Sequence, residues 1–149
     1  MADSLLVLIR LKEMILNERL KSLGNLYRLE QSLKNRKILL KKQLLEEEIA
    51  SLENQIAALT FGYYVEWNIA ENKRVDQSII TTQHNIDVVR EQIRKVFKEK
   101  KVFEIIRKKR IEREQAELRR KENIFLDEIG LNLYRRRHNK ENKKKKTET

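Results

Sequence analysis

The sequence predicts an all-α fold, a long antiparallel two-helix coiled coil in the form of a helical hairpin. The chain of 149 residues contains no proline and only three glycines, so few positions require a helix to stop. Apolar residues recur at three- and four-residue spacing along two long stretches, which is typical of helices that pack along a narrow seam. With 38% charged and 40% hydrophobic residues, the composition favours such a seam over a thick globular core.

The first helix is predicted to run from about residue 4 to about residue 58. One set of apolar residues follows the three-four spacing only approximately: Leu5, Leu8, Ile15, Leu26, Leu29, Leu33 and Leu40. A second set follows it more strictly: Leu45, Ile49, Leu52, Ile56, Leu59 and Tyr63. The change of phase between Leu40 and Leu45 predicts a register shift within the seam.

The turn is predicted at about residues 59–62. Gly62 relaxes the backbone there, and the hydroxyl of Thr60 can accept a hydrogen bond from the first turn of the next helix. A reversal at this point would make the two helices antiparallel. It would bury the apolar residues nearest the turn, namely Ile56, Leu59, Val65 and Val75.

The second helix is predicted from about residue 61 to about residue 136, so that residues 1–137 form the hairpin. Its apolar stripe comprises Val75, Ile79, Ile86, Val89, Ile93, Val96 and Phe103, and Thr82 and Lys100 fill the gaps. Residues 138–149 are rich in lysine and nearly devoid of apolar side chains. We expect them to form a disordered tail.

The formal net charge of +11 is concentrated in the second half of the chain. Residues 94–121 contain thirteen lysines and arginines but only five glutamates, and residues 134–149 contain eight basic and two acidic residues. Such charge attracts nucleic acid, anionic lipid or an acidic protein surface, and does not by itself choose among them.

The sequence contains no recognisable catalytic or metal-binding motif. There is no cysteine, the two histidines belong to no ligand cluster, and no glycine-rich phosphate loop or G-x-S-x-G motif is present. A two-helix seam also offers Asp127 and Glu128 no enclosed pocket that would shift a carboxyl pKa. We therefore predict no enzyme activity, no catalytic residue, no metal, no cofactor and no small-molecule substrate.

Four aromatic residues cluster beside the predicted turn. Phe61 is expected to close the end of the seam, and Tyr63 is in phase with the first helix and is expected in the core. Tyr64 and Trp67 are three residues apart, so they share one helix face. We predict that these two rings are exposed and form a binding surface.

Several stretches of the chain resemble the FliJ family, the coiled-coil component of the flagellar type III export apparatus. They are Phe97–Glu104 (FKEKKVFE), Arg110–Glu114 (RIERE) and Glu122–Gly130 (ENIFLDEIG), together with Phe61–Trp67 (FGYYVEW) at the predicted turn. The family has an aromatic residue or leucine near Glu-Lys-Lys, then a charged run, then leucine or methionine with Asp-Glu before an apolar residue. Length, charged composition and the helix–turn–helix layout agree, so the resemblance extends over most of the chain.

The resemblance implies a non-enzymatic stalk protein of bacterial flagellum biogenesis. Such proteins bind the hexameric export ATPase, contact the cytoplasmic domain of the export gate and handle export chaperones. They are cytoplasmic and peripheral at the inner membrane. On this basis the gate-binding residues would be Tyr64 and Trp67, and the ATPase ring would contact the pole that carries both chain ends. The residues assigned there are Leu5, Leu8, Arg10, Arg119, Arg120, Phe125, Asp127 and Glu128.

Three alternatives remain open. One is the equivalent stalk of a virulence-type secretion system, such as the YscO group. Another is a basic helical protein that binds nucleic acid or the ribosome, although the sequence lacks the reading face of a basic-region helix. The third is a homodimeric coiled coil in which Gly62 lies inside one continuous helix.

Overall fold

The structure is a computed structural model that describes the backbone of residues 2–148 and the side chains of residues 4–148. It contains two helices, α1 (Ala2–Glu53) and α2 (Gln55–Thr147), and no strand among the described residues. The two helices pack against each other as a helical hairpin. The predicted fold class is therefore confirmed.

The chain divides into two compact units. One is Leu8–Lys101, which contains most of α1 and the first half of α2, and the other combines the first seven residues with the chain from Val102 onward. Within the first unit, hydrogen bonds and ion pairs join α1 to α2. The contacts are Lys12–Glu99 (2.6 Å), Glu30–Gln83 (3.2 Å), Arg36–Glu71 (3.9 Å), Lys37–Asp76 (2.6 Å) and the Leu40 carbonyl with Asn68 (3.1 Å).

The core is a narrow seam, as the composition predicts. Its buried members among the described residues are Leu5, Leu40, Asn68, Val75, Thr82 and Ile86. Most of the predicted α2 stripe lies along it, since Val75 and Ile86 are buried and Ile79, Val89 and Ile93 are half-buried. In the α1 stripe Leu5 and Leu40 are buried, whereas Leu8 and Leu29 are exposed.

The turn lies at Asn54, so the predicted turn at residues 59–62 and the predicted helix bounds there are wrong. The midpoints in sequence of the five pairs that meet across the seam all lie within about three residues of Asn54. Gly62 lies inside α2 without a positive φ. The Thr60 hydroxyl donates back to the carbonyls of Ile56 and Ala57, so it does not cap a helix.

Local hydrogen bonding explains the turn at Asn54. Its side-chain Oδ1 accepts a hydrogen bond from the backbone N–H of Ile56 at 3.0 Å, and its carbonyl accepts one from the N–H of Ala58. Both bonds are those of a helix N-cap residue, and asparagine is among the best N-caps. Small residues beside the turn, Ala50, Ser51 and Ala57, are half-buried, and their size lets two helix ends approach closely.

Two further predictions change with the turn. Ile56 and Leu59 are exposed rather than buried, because the reversal at Asn54 places them on the far side of α2 from the seam. Val75 is buried, as expected, whereas Val65 is only half-buried. The predicted disordered tail is also wrong for residues 138–147, which continue α2. Lysine is a good helix former, and the cations of the last turn interact favourably with the C-terminal end of the helix dipole.

Candidate functional site

Every side chain from Glu112 to Glu148 is exposed. These residues are the last part of α2 and the single residue that follows it. This 37-residue stretch lies entirely in the second unit. Helices in proteins owe most of their stability to packing of one face. A long helix without such a face is therefore a candidate for binding another molecule.

Residues 124–134 are the most apolar part of this exposed stretch, and we call them the apolar segment. Seven of its eleven residues are large and apolar: Ile124, Phe125, Leu126, Ile129, Leu131, Leu133 and Tyr134. Because successive residues are about 100° apart around a helix, these side chains cover every side of it. A helix that is apolar all round is normally enclosed by other protein.

Basic residues border the apolar segment on both sides. Arg119, Arg120 and Lys121 precede it, and Arg135, Arg136 and Arg137 follow it directly. Arg120 forms an ion pair with Glu117 at 3.7 Å, and both side chains are more than half exposed. Exposed pairs of this kind contribute little to stability, so the basic groups are available to an acidic partner surface.

The residues predicted to bind the ATPase ring divide into two groups. Arg119, Arg120, Phe125, Asp127 and Glu128 are all exposed and lie within ten consecutive positions of α2. They span about 14 Å along the axis and point in different directions around it, so only a partner that surrounds the helix could contact all five.

The α1 residues predicted to bind the ATPase ring differ in their exposure. Leu8 and Arg10 are exposed, and both belong to the unit Leu8–Lys101. Leu5 is buried and therefore serves the packing of the helices, so its assignment to a binding surface is wrong. Leucine spacing on one face predicted apolar character correctly but could not separate a packed leucine from an exposed one.

The second candidate surface is the aromatic pair Tyr64 and Trp67. Their ring centroids are 5.6 Å apart and the ring planes are inclined by 42°, a tilted contact that aromatic rings favour. Trp67 is exposed, as predicted, whereas Tyr64 is half-buried, so the prediction that both rings are exposed is wrong for Tyr64. The two rings thus support each other on the surface of α2.

The other two aromatic residues near the turn behave differently from each other. Phe61 is half-buried, but it is the seventh residue of α2, so it does not close the end of the seam as predicted. Tyr63 is 77% exposed, so its predicted place in the core is wrong. Since the turn is at Asn54, Tyr63 belongs to the outer face of α2 and is the most exposed aromatic ring near the turn.

The basic stretch 94–121 contains five glutamates, and one of them pairs with a lysine of α1. Lys12 of α1 donates a hydrogen bond to Glu99 and forms an ion pair with it, and this contact lowers the pKa of the Glu99 carboxyl below its ordinary value. Lys101 lies 5.7 Å from the centre of the Phe97 ring, within range of a cation–π contact.

Among residues 4–148 no three His, Cys, Asp or Glu side chains are grouped in a way that could hold a metal ion. Within the described part of the chain no helix is long and apolar enough to cross a membrane. An open groove lies between α1 and α2 in the unit Leu8–Lys101, beside Leu33 and Thr82.

Comparison with known proteins returns no match: no protein-family model, no curated protein and no solved structure is similar to this chain.

Proposed function

We propose that the protein is a non-enzymatic stalk of a flagellar-type protein export apparatus, as its resemblance to the FliJ family implies. In this role it links the hexameric export ATPase to the cytoplasmic domain of the export gate and handles export chaperones. It acts in the cytoplasm, peripherally at the inner membrane.

The apolar segment is the observation that carries this proposal. An exposed helix with apolar side chains on every side and basic residues at both borders matches a partner that encloses it. The central opening of a hexameric ATPase ring with acidic loops is such a partner. Burial of these side chains would supply the affinity, and the bordering arginines would guide the encounter.

The aromatic pair supports the second half of the proposal. Tyr64 and Trp67 are held on a helix and against each other, so they lose little conformational entropy when a partner docks. Aromatic anchors of this kind commonly dominate the affinity of an interface. We assign them to the export gate.

The ring contact is tested by co-purification with the export ATPase, with and without nucleotide. A double variant, Phe125→Glu with Ile129→Glu, should weaken binding at least tenfold, because it places charge on the enclosed surface. The matched control, Ile38→Glu with Ile80→Glu, changes two similarly exposed isoleucines elsewhere and should bind normally. Equal binding by both variants would refute the assigned contact.

The gate contact is tested with Tyr64→Ala combined with Trp67→Ala. This variant should lose gate binding and protein export but retain helicity and binding to the ATPase ring. Tyr27→Ala is the control, since Tyr27 and Trp67 are both 46% exposed. If the double variant exports normally or loses its fold, the two rings serve the structure and do not bind the export gate.

Two other functions can be distinguished from the proposed one by experiment. The equivalent stalk of a virulence-type secretion system would co-purify with that system's ATPase instead. Nucleic-acid binding is favoured by the exposed basic run Lys143–Lys146 and the arginines at 135–137. It would show a steep loss of affinity with salt, with a slope of about −0.9 per phosphate contact on a log–log scale.

A further inference from the structure

One face of α1 near the turn carries exposed apolar residues, and we call it the outer face. Its apolar members are Ile38, Leu45, Ile49 and Leu52, whose side chains are 68%, 53%, 58% and 84% exposed. The buried Leu40 marks the side of α1 that faces the seam. The outer face is centred about 160° from Leu40 around the helix, so it points away from the seam.

The packing of the hairpin explains why the outer face is exposed. Seven residues from 33 to 51 are buried or half-buried, and all of them lie within about 80° of Leu40 around α1. They are Leu33, Arg36, Leu40, Gln43, Leu44, Ala50 and Ser51. In this part of the unit Leu8–Lys101, α2 therefore covers one side of α1 and leaves the outer face in contact with solvent.

The charges beside the outer face are separated along the helix. Lys41 and Lys42 precede Leu45, whereas Glu46 and Glu48 follow it, and all four are exposed. Lys41 and Glu48 lie along one edge of the face, and Lys42 and Glu46 lie along the other. Lys42 and Glu46 are 4.0 Å apart and largely exposed, and such a pair contributes little by itself. A face with one basic half and one acidic half is complementary to a copy of itself turned end for end.

We propose that a second copy of this chain covers the outer face, in a two-fold symmetric dimer whose α1 helices pack antiparallel. Leu45 lies on the two-fold axis and meets Leu45 of the other copy, and Ile38 of each copy meets Leu52 of the other. Both hairpins remain intact, because the bond from Asn68 to the Leu40 carbonyl is on the opposite side of α1. The dimer does not depend on the proposed export function.

The antiparallel arrangement brings opposite charges together along both edges. Positions equally far from Leu45, on either side of it, lie opposite each other between the copies. Lys41 is then within about 1.5 Å along the axis of Glu48 of the other copy, and Lys42 within about 3 Å of Glu46. A parallel pair would instead place each lysine beside its own counterpart. Such flanking charges set the orientation of paired helices.

The size of the outer face predicts a weak dimer. Eight apolar side chains, four from each copy, and the lysine stems that cover Ile49 would bury roughly 1,000 Å² in total, which is the lower limit for specific association. We expect a dissociation constant on the order of micromolar or weaker. Pairing through the apolar segment is less favourable, because arginines border that segment on both sides.

The dimer is tested by sedimentation equilibrium of the full chain, at concentrations from well below to well above that dissociation constant. Leu45→Glu should raise the dissociation constant at least about tenfold, because two carboxylates would meet on the axis. Ile80→Glu is the control, since Ile80 is a 66% exposed residue of α2, and it should leave the constant unchanged. A chain that is monomeric throughout, or equal weakening by both variants, would overturn the proposal.

The register is tested by exchanging charges across the interface. Lys41→Glu and Glu48→Lys should each weaken the dimer several-fold, because each places like charges opposite one another. The two substitutions together restore opposite charges, so the double variant should dimerise about as well as the wild type. A double variant that is weaker than both single variants would contradict the proposed pairing.

The orientation is tested by cross-linking with a short bifunctional maleimide, since the chain has no cysteine of its own. Leu45→Cys should link two copies readily. Ile38→Cys should not link to itself, because the two positions would be about 20 Å apart along the axis, but it should link to Leu52→Cys in a mixture of the two variants. Efficient linking of Ile38→Cys to itself would indicate parallel helices and overturn the proposal.

Discussion

At the scale of single residues, Asn68 fixes how the two helices align. It is 2% exposed, its Nδ2 donates to the Leu40 carbonyl at 3.1 Å, and its Oδ1 accepts from Nδ2 of Asn72 at 2.8 Å. A shift of one helix along the other would leave this buried amide without its partner on α1. Such a shift costs about 1–3 kcal/mol for the unpaired group, so Asn68 acts as a register marker.

We predict that Asn68→Asp destabilises the protein strongly at neutral pH. The change keeps the shape of the side chain but turns a carboxylate oxygen toward the Leu40 carbonyl in a buried position. The free energy of unfolding should fall by about 3 kcal/mol or more, and the loss should shrink in acid as the new carboxyl becomes protonated. Urea unfolding followed by circular dichroism measures it. Asn85→Asp, at an exposed position, should change stability by less than about 0.5 kcal/mol.

The Lys12–Glu99 ion pair predicts how stability depends on pH. Its hydrogen bond lowers the pKa of Glu99 below the ordinary value of 4.5, so the unfolded chain takes up a proton more readily than the folded one. This contribution is complete above pH 4.5 and disappears as the pH falls through the lowered pKa.

Titration of the Glu99 carboxyl by NMR in wild type and in Lys12→Met measures this effect. The pKa should return toward 4.5 in the variant. Glu30, whose pKa is lowered chiefly by its hydrogen bond with Lys34 and also by Gln83, should titrate at the same pH in both proteins. An unchanged Glu99 pKa in Lys12→Met would contradict the ion pair.

At the scale of the helices, the sequence predicted their number and pattern but not where they meet. Composition and apolar spacing were sufficient for a two-helix hairpin and for the stripe that contains Val75 and Ile86. The turn was misplaced because glycine permits a turn without requiring one, whereas the capping bonds of Asn54 do not stand out in a sequence with many asparagines. The regular repeat from Leu45 to Tyr63 then suggested a seam that the hairpin does not form.

Gly62 provides a direct test of the corrected turn. It lies inside α2, has no positive φ, and an added methyl group would contact no atom within 4 Å. Gly62→Ala should therefore raise the free energy of unfolding by about 0.5–1 kcal/mol. Gly24→Ala in α1 has the same surroundings and should give a similar gain. If Gly62→Ala lowered the free energy of unfolding and Gly24→Ala did not, the turn would lie at residues 59–62 after all.

At the scale of the whole molecule, residues that hold the fold and residues that face solvent occupy different parts of the chain. The cross-helix hydrogen bonds and ion pairs given above lie between Lys12 and Glu99, and no side chain from Glu112 to Glu148 is buried. The sequence predicted the basic character of this last part, and Phe125 of the apolar segment was among the residues predicted to bind the ATPase ring. It did not predict that the whole part is exposed, because spacing alone cannot tell a packed apolar face from an unpacked one.

A chain that ends at Ile111 should keep the stability of the hairpin while losing the ring partner. Because the removed residues bury no side chain, the midpoint of cooperative thermal unfolding should change by only a few degrees, and the helical signal should fall in proportion to the residues removed. Binding to the export ATPase should fall to background, since the apolar segment is gone. The control begins at Ser22, which removes Leu5, Lys12 and Ile15 from the seam and should lower the midpoint far more. If the chain ending at Ile111 unfolds like this control, residues beyond 111 stabilise the hairpin, and their exposure does not mark a binding surface.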